Sequence, residues 1–172
     1  KSPLILSYKG NYDLIKKIGV GFCGSRDATL KGLETVDNIV NCLADRVVYV
    51  SGYAKGVDLK VHYSSLEKGL KTIIVLPEGI LNFRIKRELK DCFNYENALV
   101  VSEFLPDSRW SVGNAMTRNT TIIALSRAMI LIEAKATGGS FDAGEKTLKM
   151  GIPLYAPIYN DDTEKTAGNK IL

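Results

Sequence analysis

Four short polar segments hold most of the chemistry this sequence could perform. They are Gly24-Ser25-Arg26, Ser51-Gly52-Tyr53-Ala54-Lys55-Gly56-Val57-Asp58, Pro77-Glu78-Gly79 and Ala136-Thr137-Gly138-Gly139-Ser140. Glycine turns let backbone N–H groups converge, and the positive end of a following helix adds to them, so such turns suit an anion, above all a phosphate. Arg26 contributes a planar guanidinium able to grip two phosphate oxygens. Any α/β fold also needs glycine turns after its strands, so each turn taken alone reads first as structure. The first turn, read as Gly21-Phe22-Cys23-Gly24-Ser25-Arg26, supports ordinary dinucleotide binding only weakly, and no GxxxxGK[ST] P-loop occurs.

The one histidine, His62, excludes a multi-His metal centre, and a Ser-His-Asp hydrolase would have to be built around it. On the helix after the second turn it reads as a packing or capping residue rather than a base. Asp58 reads as a helix cap. Tyr53 reads either as a ring for stacking on a base or as an ordinary loop tyrosine. Were the pocket to do chemistry, Glu78, Glu133 or Glu145 would be its acid or base. Nothing in the sequence calls for a cofactor.

These turns need strands and helices to place them. Short β-branched runs predict strands at Gly19–Phe22, Val47–Ser51, Thr72–Leu76, Leu99–Ser102, Ala128–Ile132 and Pro153–Ala156. The third and fifth are almost continuously apolar, as in strands covered on both faces. Helical patterns lie between them, at Leu30–Ala44, Asp58–Lys68, Arg84–Asp91, Met116–Leu125 and Phe141–Met150. Thr29 is placed to cap the first. The first dozen residues, through Gly10 and Asn11, read as an extra strand and turn. The last, 160–172, read as a polar loop closing on Ile171 and Leu172. Alternating βα units imply an α/β fold, a mostly parallel sheet flanked by helices, in one domain over 1–172. In such sheets ligands bind at the carboxyl ends of the strands, where all four polar segments fall.

Composition agrees. With 45% hydrophobic and 24% charged residues the chain is neither disordered nor membrane-spanning in pattern. Its net charge of +4 permits nucleic acid or phosphorylated ligands without requiring them. Cys23, Cys42 and Cys92 show no ligand spacing. Cys23 and Cys42 sit among apolar neighbours and read as core residues, which favours a reducing, cytoplasmic setting.

Taken in order, these segments resemble the DprA/Smf family of DNA-processing proteins, which have an extended Rossmann-like domain. Leu4–Asn11 is similar to the family's opening strand, and Gly24-Ser25-Arg26-Asp27-Ala28-Thr29 with Gly32 to its Gly-Ser-Arg phosphate turn. Ser51–Asp58 with His62 resembles its Ser-Gly-x-Ala-x-Gly-(Ile/Val)-Asp…His segment. Ser102-Glu103 and Arg118-Asn119, followed by Ile122-Ile123-Ala124, match further motifs, and Glu133–Ser140 and Gly168-Asn169 complete the order. The resemblance implies single-stranded DNA as partner, transfer of the strand to a RecA-type recombinase during transformation, a homodimer, and no chemistry of its own. It assigns phosphate contact to Gly24, Ser25 and Arg26 and pocket-building to Arg118 and Asn119. Ser51, Gly52, Lys55, Gly56, Gly138, Gly139 and Ser140 join them as expected DNA or phosphate contacts.

The chain departs from the family pattern where an aromatic residue usually precedes the Arg-Asn asparagine by four positions; here Ala115 stands. The stretch before it, Ser111-Val112-Gly113-Asn114, lacks the usual basic residues, while Arg109 and Trp110 stand slightly upstream as sources of charge and stacking. The sequence contains neither a helical N-terminal domain nor a winged-helix-like C-terminal one, as expected of a fragment or of a stand-alone domain. The alternative is a Rossmann-like nucleotide sensor or a nucleotide phosphoribohydrolase. Thr137-Gly138-Gly139-Ser140-Phe141-Asp142-Ala143-Gly144-Glu145 keeps the Gly-Gly and the glutamate spacing of those enzymes, without their Pro and Gly-Thr. Glu145 there reads mainly as a solvent-facing helix residue.

Overall fold

The computed structural model describes residues 3–160 and 163–172. Seven strands form one sheet: β1 (Ser7–Gly10), β2 (Gly19–Cys23), β3 (Val48–Ser51), β4 (Thr72–Val75), β5 (Ala98–Ser102), β6 (Ala128–Leu131) and β7 (Leu154–Tyr155). Their order is β1-β5-β4-β3-β2-β6-β7. Every pairing is parallel except β1 on β5, where Ser7 faces Ser102 and Gly10 faces Leu99. The chain runs from β2 outward through β3, β4 and β5, then returns to lay β6 against the free edge of β2. The crevice between the loops after β2 and β6 is therefore the topological switch point of the sheet.

Side-chain alternation assigns the two faces. Val20, Phe22 and Tyr49 point to one face, where they pack with Val36 and Val40 of α1 (Leu30–Leu43) and Val57 and Val61 of α2 (Val57–Glu67). Cys23, Val48 and Val50 point to the other. There Ile122 and Ile123 of α3 (Val112–Ala124) and Ala143 of α4 (Gly139–Lys149) cover them. Ile74, Leu76 and Val100 have no long helix above them. The loop residues Ile80 and Phe83 cover them instead, with Tyr53 and Phe93 packed alongside. Among the described residues no helix is long and apolar enough to cross a membrane.

Several expectations need correction. The stretch Arg84–Asp91 is not a helix. Lys86 is extended (φ −65°, ψ 150°) and gives its N–H to the Tyr53 hydroxyl at 2.9 Å, and only a short 3-10 turn follows at Arg87–Leu89. A tertiary hydrogen bond here overrides good helix propensity. The terminal segment carries a helix, α5 (Ala167–Ile171). Residues 161 and 162 of the expected loop, like 1 and 2 at the other end, lie outside the described residues. Cys42 is exposed, because two residues past buried Val40 it sits about 200° around α1 from the core stripe. The spacing Gly19-x-Gly21-x-x-Gly24 does occur, overlooked when the turn is read from Gly21. However, Gly19 and Gly21 lie inside β2, not in a phosphate-facing turn.

Candidate functional site

Two adjoining cavities open at the carboxyl ends of the parallel strands. The first, about 440 Å³, occupies the switch crevice between the turn Gly24–Asp27 and the segment Glu133–Ser140, with Met116 and Asn119 of α3 above. The second, about 490 Å³, lies over the ends of β3 and β4 and reaches the loop residues Arg84, Lys86 and Trp110. Arg26, Ala54 and Arg118 line both, so the two cavities meet along one groove.

The turn after β2 is clamped to α2. The Ser25 carbonyl accepts the Val57 N–H at 3.1 Å, and the Ser25 hydroxyl accepts the Asp27 N–H at 3.1 Å. Gly56 sits beneath it with φ +73°, and a Cβ there would lie 2.3 Å from the Ser25 carbonyl oxygen, so only glycine fits. Gly56 thus supports the turn. The clamp leaves the Arg26 side chain exposed at the junction of the two cavities.

The helix terminus that follows this turn is already filled. Glu133, only 1% exposed at the end of β6, accepts the Thr29 N–H at 3.0 Å and the Thr29 hydroxyl, and lies against Gly32 in the first turn of α1. Thr29 caps the helix as expected, accepting the Gly32 N–H at 3.1 Å. The protein's own carboxylate therefore stands where the dipole of α1 would attract an anion.

Arg118 is buried at the centre, 5% exposed. Its Nη1 donates to the Val75 carbonyl at 3.2 Å and lies 3.7 Å from Asp58 Oδ2, while its Nε finds no partner among the described residues. Burial pulls the guanidinium pKa below its ordinary value, and the charge of Arg26 adds to that pull. Asp58 spans the site rather than capping α2 by itself: Oδ1 accepts the Ser51 hydroxyl at 3.0 Å and Oδ2 the Ala54 N–H at 3.2 Å, and the cap residue is Gly56. Ser51 and Gly52, both expected contacts, lie beneath the groove and outside the lining of either cavity. Gly52 makes room for Arg118, since a Cβ there would fall 1.3 Å from Nη1.

The remaining candidates divide between the cavities. Asn119, Gly139 and Ser140 line the first; Gly138, the residue before α4 with φ +107°, stands outside its lining. Lys55 lines the second, exposed. His62 is fully buried, with Nε2 2.5 Å from the Gly52 carbonyl and Nδ1 2.7 Å from the Thr72 hydroxyl, so it packs and orients and does not reach the groove. The Tyr53 ring is not free for stacking. The Lys86 ammonium lies 4.4 Å from its centroid, Phe83 packs at 5.4 Å, and its hydroxyl donates to the Arg84 carbonyl. The Cys23 thiol, lining the first cavity, is pushed up to about 12 by burial and stays protonated. Glu145 lies off both cavities, half-exposed and 3.9 Å from Lys149. Glu78 lines the second cavity, where burial raises its carboxyl above the ordinary range.

The charges differ sharply between the two. In the first cavity Arg26, Arg118 and Lys135 face Asp27, Asp58 and Glu133, a balanced set; Asp27 is further paired with Lys165 at 2.6 Å and Lys135 with Glu164 at 2.8 Å. In the second Arg26, Lys55, Arg84, Lys86 and Arg118 face Glu78 alone. Sequence reasoning missed Lys86 and Arg84 as groove residues because it placed them on a helix. It gave Gly168-Asn169 no task. Asn169 is buried and ties α5 to the end of β6: its Oδ1 accepts the Ala134 N–H at 2.9 Å and its Nδ2 donates to the Ile132 carbonyl at 2.9 Å.

Comparison with known proteins bears on this arrangement. The chain is 34% identical to DNA processing protein DprA of Streptococcus pneumoniae over 157 residues, covering 90% of this chain and 55% of that protein. It is 32% identical to protein Smf of Synechocystis over 173 residues, 96% of this chain and 43% of that protein. The chain thus spans about half the length of the curated relatives it matches. The X-ray structure of the Streptococcus pneumoniae protein superposes with a TM-score of 0.88 at 33% identity, covering 98% of this chain and 60% of that one. DNA processing protein A from Helicobacter pylori, described for its single-stranded DNA binding mode, superposes with a TM-score of 0.85 at 26% identity over 99% of this chain and 79% of that one. The family model for DNA recombination-mediator protein A matches residues 1–172. This chain, with its Gly-Ser-Arg turn and its seven-stranded extended Rossmann-like sheet, belongs to the DNA recombination-mediator protein A family, DprA/Smf.

Proposed function

We propose that this chain is the single-stranded-DNA-binding unit of a DNA-processing protein and acts without chemistry of its own. The observation that carries this reading is the excess of cations in the second cavity of the groove, Arg26, Lys55, Arg84, Lys86 and Arg118 against Glu78. A phosphodiester backbone with one charge per nucleotide suits such a track better than a single mononucleotide does. The three glutamates open to acid–base work add little to an enzyme reading: Glu133 lines the first cavity but is held by Thr29, Glu145 lies off the groove, and Glu78 borders the second cavity. The resemblance extends the proposal to a cytoplasmic homodimer that serves DNA uptake in transformation and passes the strand to a RecA-type recombinase.

The test is a fluorescence-anisotropy titration with a labelled oligo-dT of about 20 nucleotides at two salt concentrations, with mononucleotides as competitors. Affinity falls steeply with salt, and mononucleotides barely displace the oligonucleotide. Arg26→Ala lowers affinity for all sequences alike and reduces the slope of log K against log salt by about 1. Binding insensitive to salt, or displacement by a micromolar mononucleotide, overturns the reading in favour of a small-ligand sensor.

A further inference from the structure

The second cavity differs from the switch crevice in two respects. Its lining is strongly cationic, and it contains an available aromatic ring. The first cavity has no aromatic side chain in its lining, with Ala115 and Val112 in the stretch where stacking was expected. Trp110 borders the second cavity, half-exposed at 50%, and makes no ring–ring contact among the described residues. Tyr53, the other ring in that lining, is covered by Lys86 and Phe83. Arg26 and Lys55 are exposed, and neither side chain makes a hydrogen bond or ion pair among the described residues. A flat apolar ring in the same cavity lining as two uncommitted cations matches what one nucleotide presents: a π-face and a phosphate.

We infer that the second cavity is a nucleotide subsite in which one base stacks on Trp110 while the adjoining phosphate is held by Arg26 and Lys55. This rests on the single-stranded DNA reading above and fixes the course of the strand within it. Because Arg26 and Arg118 line both cavities, the strand crosses from the switch crevice into the second cavity at Arg26. Stacking on an indole tolerates every base, so the subsite confers no sequence preference.

Trp110 is the one tryptophan in the sequence, so its emission reports the subsite directly. Oligo-dT is titrated into the protein while indole emission and the anisotropy of a labelled oligonucleotide are followed in parallel. Emission falls in step with the rise in anisotropy. Trp110→Ala binds about 5- to 150-fold more weakly, the range for loss of one stacked base, and Trp110→Phe recovers most of the loss. An oligomer of abasic sugar-phosphate units, which keeps the charges, binds the wild type and Trp110→Ala equally. If anisotropy rises while emission stays constant and Trp110→Ala binds as the wild type does, the subsite is wrong and the DNA-binding reading stands. If neither signal moves, the DNA-binding reading fails and the subsite with it.

Discussion

Acidification probes the interior beneath the groove through His62. The Gly52 carbonyl can only accept, so Nε2 carries the proton of the neutral ring; Nδ1 lies 2.7 Å from the Thr72 hydroxyl, which donates to the Tyr49 carbonyl at 2.7 Å. Burial lowers the ring from 6.5 to about 4; the Gly52 bond and Asp58 resist that shift, and Lys86 and Arg118 reinforce it. The unfolded chain takes up this proton as pH falls through about 6.5, whereas the folded chain refuses it until about 4. The contribution is therefore complete above pH 6.5 and lost progressively between 6.5 and 4. At about 1.4 kcal/mol for each tenfold change in proton affinity, the loss amounts to about 3 kcal/mol.

Other titrating groups act elsewhere or in the opposite sense. Lysine partners hold the carboxyls of Asp13 and Glu164 below their ordinary range, so their contributions are lost only as pH falls below about 4. Glu78, raised by burial, favours the folded state on acidification and offsets part of the histidine effect. Urea denaturation followed by circular dichroism at pH 7, 6, 5 and 4.5 measures the balance, with His62→Gln as the comparison. The wild type weakens steadily through this window. The variant starts less stable, since Thr72 and Gly52 lose their partner, and stays nearly flat. Equal slopes in the two proteins would refute the assignment of this window to His62.

Three further outcomes follow from single contacts. Gly52→Ala places a methyl 1.3 Å from Arg118 Nη1, which drives the guanidinium from Val75 and Asp58. Urea denaturation should show a loss of about 3 kcal/mol, as for breaking a buried ion pair, and oligonucleotide affinity should fall with it. Asn169→Ala leaves the buried Ala134 N–H without its acceptor, at a cost of about 1–3 kcal/mol in the same assay, and frees α5 from the end of β6. Glu145→Gln removes only a surface carboxylate, so oligo-dT affinity by anisotropy should match the wild type within about twofold.

What the sequence disclosed and what it hid have separate physical causes. The βα order was legible because the strands of a sheet covered on both faces are short apolar runs, as at Thr72–Val75, and because helices such as α1 keep one apolar stripe. Two of the failures have long-range causes. Arg84–Asp91 carries helix-forming residues, yet the Tyr53 hydroxyl, 33 positions away, takes the Lys86 N–H and holds the backbone extended. That one bond turns Lys86 inward, to the groove and to the Tyr53 ring. Glu133 reads as one possible acid or base were the pocket to do chemistry, but its partner Thr29 is 104 residues distant and becomes a neighbour only because β6 pairs with β2. With that carboxylate against the first turn of α1, the helix dipole is already satisfied. The turn after β2 therefore presents to the groove chiefly the Arg26 side chain, and the surplus of positive charge lies on the β3–β4 side of that residue.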